Sequence, residues 1–270
     1  MNLSHAARRL TAGLPYIGYQ HPLMVLLVLS VLLLSILLAG CTANGLSNFH
    51  LLSLSYNASG ALPIIDDTIT SPNTSSSIAT LLGKGAAFQI RVGYFGYCLL
   101  NNGTTFCSTD LPSLASLIRQ SNSSDPGNLF YIAKRFHDDT IFSGLIFISI
   151  IFSAICFMLL STFPSWHTEE DSDDGSEREV KPFPSRVVSD ISLLLVLVSS
   201  LLALVAALWQ HLSTAATSTM IGTLTYGSVS GEVGVGATVL GWVSTGLLCV
   251  VSVALLVMVL SIRILNQIVA

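Results

Sequence analysis

The sequence predicts an all-α transmembrane four-helix bundle that carries a small extracellular β-sheet. Three observations predict it. Four long apolar blocks interrupt the chain, the text between the first two is long and polar, and part of that text alternates apolar and polar residues beside a pair of cysteines. Composition agrees. Of 270 residues, 51% are hydrophobic and 10% are charged, with a mean hydropathy of +0.72. Soluble domains carry about 25% charged residues, so this chain lacks the charge to coat a water-facing globule.

The blocks define the organisation. A cytoplasmic N-terminus over 1–22 precedes a first span over Leu23–Ala43. The second span runs Thr140–Phe163, the third Val188–Trp209 and the fourth Ala237–Ile262. Each can cross the ~30 Å hydrocarbon layer at ~1.5 Å per residue. Backbone in oil must pair with itself, so each block reads as a helix despite its β-branched residues. The first block also ends Leu38-Ala39-Gly40-Cys41, similar to a bacterial lipoprotein cleavage box. A removed signal peptide is therefore the alternative there, although the apolar run exceeds the usual h-region of about 7–15 residues. Asp190, near the start of the third span, belongs at the interface, because burying it unpaired costs several kcal/mol. Ala237, Gly241, Thr245 and Cys249 recur every four residues and mark a narrow face for helix packing.

Charge sets the orientation. Arg8 and Arg9 precede the first span, Arg178, Lys181 and Arg186 lie between the second and third, and Arg263 follows the fourth. The 210–236 connection has no Lys or Arg. The positive-inside rule places both termini in the cytoplasm and makes 44–139 and 210–236 extracellular loops. The intervening 164–187 loop contains HTEEDSDDGSEREVKP, acidic and poor in apolar residues, and is expected to be disordered. The tail over 263–270 is cytoplasmic. Four acceptor sequons begin at Asn57, Asn73, Asn102 and Asn122, all in the long loop, as candidates for glycosylation.

That loop has two unlike parts. From Asn44 to about Lys84 it is rich in Ser, Thr and Asn and is expected to be mostly irregular. From Ala86 the text reads AAFQIRVGYFGYCLLNNGTTFCSTD. Phe88, Ile90 and Val92 alternate with Gln89 and Arg91, the period of a strand. Asn101, Asn102 and Gly103 suit the reversal, and Thr104–Cys107 can run back as a partner strand. A Cys98–Cys107 bridge would staple the hairpin; two free thiols are the alternative. Closing a ring of about ten residues corresponds to ~2.7 kcal/mol in the chain-entropy model. Leu111, Leu114, Leu117 and Ile118 recur at near-helical spacing.

Gly93-Tyr94-Phe95-Gly96-Tyr97-Cys98, followed by Cys107, resembles the signature of a fungal family of calcium-influx regulators and membrane-fusion proteins, claudin-like and four-span. Gly93, Gly96, Cys98 and Cys107 carry the motif. The order of spans and the large first loop match as well, so the resemblance covers about Leu23 to Arg263. It implies a role in low-affinity calcium influx and plasma-membrane fusion during mating. It also implies a multi-pass plasma-membrane protein whose partners are the lipid bilayer and a calcium channel or other membrane proteins, with a homo-oligomer left open. Animal claudins usually carry a tryptophan near the first cysteine; Tyr94 and Phe95 stand there instead, which argues against a paracellular barrier.

Other classes fare poorly. The six histidines are scattered, without zinc or metalloprotease spacing. No nucleophile motif, metal-ligand set or cofactor motif is legible, so no catalytic residue is assigned and an enzyme is not expected. Net charge is −4 with no basic tract beyond the Arg8-Arg9 pair, so a nucleic-acid partner is not expected. The spans show no ring of acids to line a cation pore. Modulating a channel therefore fits better than conducting alone. The competing reading is a structural organiser or adhesion protein acting through the glycosylated loop.

Overall fold

The computed structural model describes residues 20–56, 88–101, 103–120, 125, 128–162, 167–170, 177–180, 186–225, 227 and 229–269. Among the described residues, four helices are long and apolar enough to cross a membrane. They are α1 (Gln20–Leu38), α4 (Gly144–Ser161), α5 (Arg186–Leu224) and α6 (Val235–Val269). Two shorter helices, α2 (Leu111–Gln120) and α3 (Leu129–Thr140), precede α4. The strands are β1 (Leu52–Tyr56), β2 (Phe88–Val92), β3 (Tyr97–Asn101), β4 (Thr104–Ser108), β5 (His167–Glu170), β6 (Glu177–Val180) and β7 (Val229–Val233). The chain divides into two compact units, one of 1–32, 147–202 and 244–270, the other of 33–146 and 203–243.

The first unit is inside-out by the standards of water. Ser149, Ser153 and Ser199 are fully buried, while Met158, Leu194 and Val253 are about 60% exposed. Oil as the solvent explains both halves of that pattern. Lipid tails accept the apolar side chains, and hydroxyls turn inward to find partners. Ser149 Oγ donates to the Ser199 carbonyl (3.0 Å) and Ser199 Oγ donates to the Ser149 carbonyl (2.9 Å). Ser153 Oγ lies 2.8 Å from Ser199 Oγ and donates to it. Ser252 on α6 reaches the Val196 carbonyl on α5 at 3.3 Å. Asp190 sits half-exposed against Arg263, with Nη2 donating at 2.9 Å. The charge is thus paired and hydrated.

The second unit is built on an antiparallel sheet in the order β4-β3-β2-β1-β7. Leu52 and Leu54 of β1, Ile90 and Val92 of β2, and Tyr97 and Leu99 of β3 share one buried face. Leu114 of α2 and Leu129, Ala133 and Phe136 of α3 are buried in the same unit. Asp125 begins α3 by accepting from the Leu129 and Phe130 amides (3.0 and 3.3 Å), a negative group at the positive end of a helix. It also accepts from the Tyr56 hydroxyl.

Several expectations need correction. Within the 44–84 stretch, expected to be mostly irregular, Leu52–Tyr56 forms β1, paired on both sides, while 57–84 lie outside the described residues. Helix α5 runs past Trp209 to Leu224, 39 residues or ~58 Å, about twice the hydrocarbon thickness. The rest of the 210–236 segment then supplies β7, since Val229–Val233 pairs with β1. The acidic segment, expected to be disordered, contains an antiparallel pair with Glu169 opposite Arg178. On α6, Ala237, Gly241 and Thr245 are buried but Cys249 is exposed. Steps of four overshoot the 3.6-residue turn by ~40° each, so the stripe rotates out of the packed face by its third step.

Candidate functional site

The motif Gly93-Tyr94-Phe95-Gly96-Tyr97-Cys98 is the turn from β2 into β3 and the first residues of β3. The Gly93 amide donates to the Gly96 carbonyl at 2.8 Å and closes the turn. Both glycines press against the chain just beyond α1. A Cβ on Gly93 would strike the Gly40 carbonyl, and one on Gly96 would strike the Cys41 carbonyl. Backbone meets backbone there, so no side chain could swing aside to make room. The requirement for glycine is spatial, and it runs in both directions. A Cβ on Gly40 would strike the Phe49 carbonyl, and one on Gly234, between β7 and α6, would strike the His50 carbonyl.

The 41–51 connection is therefore clasped from several sides. The Arg91 guanidinium donates to the Ser47 carbonyl (3.2 Å) and to Asn48 Oδ1 (3.3 Å). The Cys107 amide donates to Asn44 Oδ1 (3.0 Å). Burial, aided by the nearby Arg91 charge, pushes the His50 imidazole below its ordinary value.

Cys98 and Cys107 stand directly opposite each other in the β3–β4 register and are bridged, with Cα atoms 4.0 Å apart. Gly103, in the hairpin loop, has φ +83°, which an L side chain rarely adopts. The bridged Cys98 sulfur lies 3.7 Å from the Cys41 carbonyl, a contact, since it has no proton to donate. Tyr94 is buried, and its hydroxyl donates to Gln210 Oε1 of α5 at 3.2 Å. Burial raises its phenol well above the ordinary range, so it remains a neutral donor. The Tyr97 phenol is pushed up to about 12 by burial and by the Asp138 charge. His137 of α3 lies against the Tyr97 ring (centroids 5.1 Å apart), with Nε2 3.0 Å from the Tyr94 carbonyl. The site is thus a mechanical junction where β2, β3, α3, α5 and the end of α1 meet.

The structure brings Gly93, Gly96, Cys98 and Cys107 together. Asn57, Asn73, Asn102 and Asn122 lie outside the described residues. Gly40, Gly234, Gln210 and His137 were not anticipated, because nothing local in their neighbourhoods signals a contact so distant in sequence. Among the described residues no group of three or more His, Cys, Asp or Glu gathers as a metal site.

Four membrane-length helices and a small open sheet stapled by one disulfide define a claudin-like four-span membrane protein. A family model described as "Ca2+ regulator and membrane fusion protein Fig1" matches residues 73–261. The chain belongs to this Fig1 family, whose members are regulators and fusion proteins rather than enzymes. No curated protein matches it.

Proposed function

We propose that the protein regulates low-affinity calcium influx and plasma-membrane fusion during mating, with both termini cytoplasmic and the sheet unit outside the cell. The family match over residues 73–261 carries this reading. The distribution of Lys and Arg supports the orientation. We further propose that Gly93, Gly96, Cys98 and Cys107 are the family's functional signature, acting by holding the sheet in place. Asn57, Asn73, Asn102 and Asn122 then carry N-glycans, which a glycosidase-dependent mobility shift would report.

The protein modulates a channel or another membrane partner rather than conducting alone. Support comes from the bundle interior, where Ser149, Ser153 and Ser199 spend their hydroxyls on one another and on carbonyls of neighbouring helices. Calcium uptake and fusion in mating cells test the proposal, with the gene intact, deleted or carrying Cys98→Ser. Deletion should lower both, and Cys98→Ser should follow deletion. Equal uptake in intact and deleted cells would remove the calcium role. Stable cross-links to neighbouring proteins, with normal uptake, would favour an adhesive organiser instead.

A further inference from the structure

Among the exposed aromatic side chains of the sheet unit, Phe95, Phe142 and Trp209 lie near the end of α1 or the start of α4. Phe142 is 61% exposed and lies two residues before α4 begins at Gly144. Trp209 is 54% exposed, and its indole N–H is already satisfied by the Thr140 carbonyl at 3.0 Å. Phe95 is 39% exposed at the tip of the β2–β3 turn. The glycines on either side of it, Gly93 and Gly96, abut Gly40 and Cys41, within three residues of the end of α1 at Leu38. The turn therefore stands at the level where the first span leaves the bilayer. Its neighbour Tyr94 points inward and bonds Gln210, the residue after Trp209. The two aromatics of the motif thus have opposite fates, one buried and one presented.

An aromatic ring with open apolar surface, at the level where spans emerge, is suited to the boundary between headgroups and acyl chains. We propose that Phe95 is a lipid-contacting tip that inserts into the leaflet adjoining the sheet unit, beside Phe142 and Trp209. Its partner is the glycerol and upper acyl region of phospholipid in the protein's own membrane. Continuity with the lipid-facing surface of the spans selects that occupant: exposed Val205, Leu208 and Trp209 follow one another along α5 to the same level. The disulfide-stapled sheet is then seated on the leaflet as well as on the end of α1. This inference does not depend on the calcium or fusion role.

The test uses the full chain in phosphatidylcholine vesicles, with bromine on the upper acyl carbons of the lipid. Trp166, Trp209 and Trp242 are replaced by Phe, and Phe95→Trp supplies the reporter. A chain retaining only Trp209 is the interfacial reference. Thr104→Trp, at the far end of the β3–β4 hairpin and ~14 Å along the strand, is the aqueous control. Phe95→Trp should show more than half the bromine quenching of the Trp209-only chain. Quenching below half that value overturns the proposal. If Phe95→Trp fails to form the Cys98–Cys107 bridge, a photoreactive benzoyl-phenylalanine at position 95 of the otherwise native chain replaces it. Phospholipid adducts support the tip, and adducts to protein alone overturn it.

Discussion

The seam between α4 and α5 and the turn at Gly93–Gly96 both bring chain segments close together, by opposite means. In the seam, three serines cross-link two helices through hydroxyls, and each bond is individually modest. In the turn, glycines remove side chains altogether, and a disulfide fixes the strand that follows. Solvent accounts for the difference. In oil, apolar burial drives little association, so polar partners and small residues must do it. In water, a small sheet has too little core of its own and gains from a covalent staple. The seam should therefore degrade gradually under mutation, while the turn should fail abruptly.

The largest expected effect falls on a glycine outside the motif. Gly234→Ala drives a methyl into the His50 carbonyl, with backbone on both sides. Overpacking of this kind typically costs ~1–3 kcal/mol and sometimes more, and the upper end is expected where no side chain can yield. Loss of protease resistance in the sheet unit would report it. Wild-type resistance would show that the clasp around His50 is dispensable. Next comes Cys98→Ser, which should cost ~2.7 kcal/mol by the loop-entropy relation, read as a lower unfolding midpoint in detergent. A shift as small as that of a surface serine would break the contrast.

Smaller effects test the seam. Ser199→Ala removes the central hydroxyl of the cluster and should cost between ~0.6 kcal/mol, the average for a hydrogen bond between membrane helices, and ~1.7 kcal/mol, the largest such value. Ser192→Ala on the same helix should cost nothing or stabilise, because the buried Ser192 hydroxyl has no hydrogen-bond partner among the described residues. Equal losses for both would mean that packing, not hydrogen bonding, holds the seam. The mildest effect is on pH. The folded state holds the His50 imidazole below its unfolded value of ~6.5, so the unfolded chain takes up the proton first as pH falls. The associated stability is fully present above that value and is lost as pH falls through the folded one. Melting curves between pH 7.5 and 5 should show this slope, and His50→Gln should flatten it.

Much of this contrast was legible in the sequence. Four apolar blocks announce four spans, and the alternation in FQIRV beside two cysteines announces the hairpin. What escaped was whatever depends on a distant partner. LSLSY alternates as well as FQIRV does, but it sits in polar text and becomes a strand only between β2 and β7. VSGEV looks like a glycine-rich linker until β1 pairs with it. The HLSTAATSTMIGTL end of α5 reads as a polar loop, yet the helix continues through it, with Gln210 receiving Tyr94. Within the motif, the need for glycine at 93 and 96 arises from Gly40 and Cys41, more than fifty residues away in sequence.

The central claim is that the motif glycines serve by making room for another backbone. Gly45 offers the matched control, since a Cβ there meets nothing within 4 Å among the described residues. The measurement is the fraction of protein at the cell surface with the Cys98–Cys107 bridge intact, for Gly96→Ala beside Gly45→Ala. The account predicts that Gly45→Ala matches the unmodified protein while Gly96→Ala loses most of that fraction. Equal fractions for the two would contradict it.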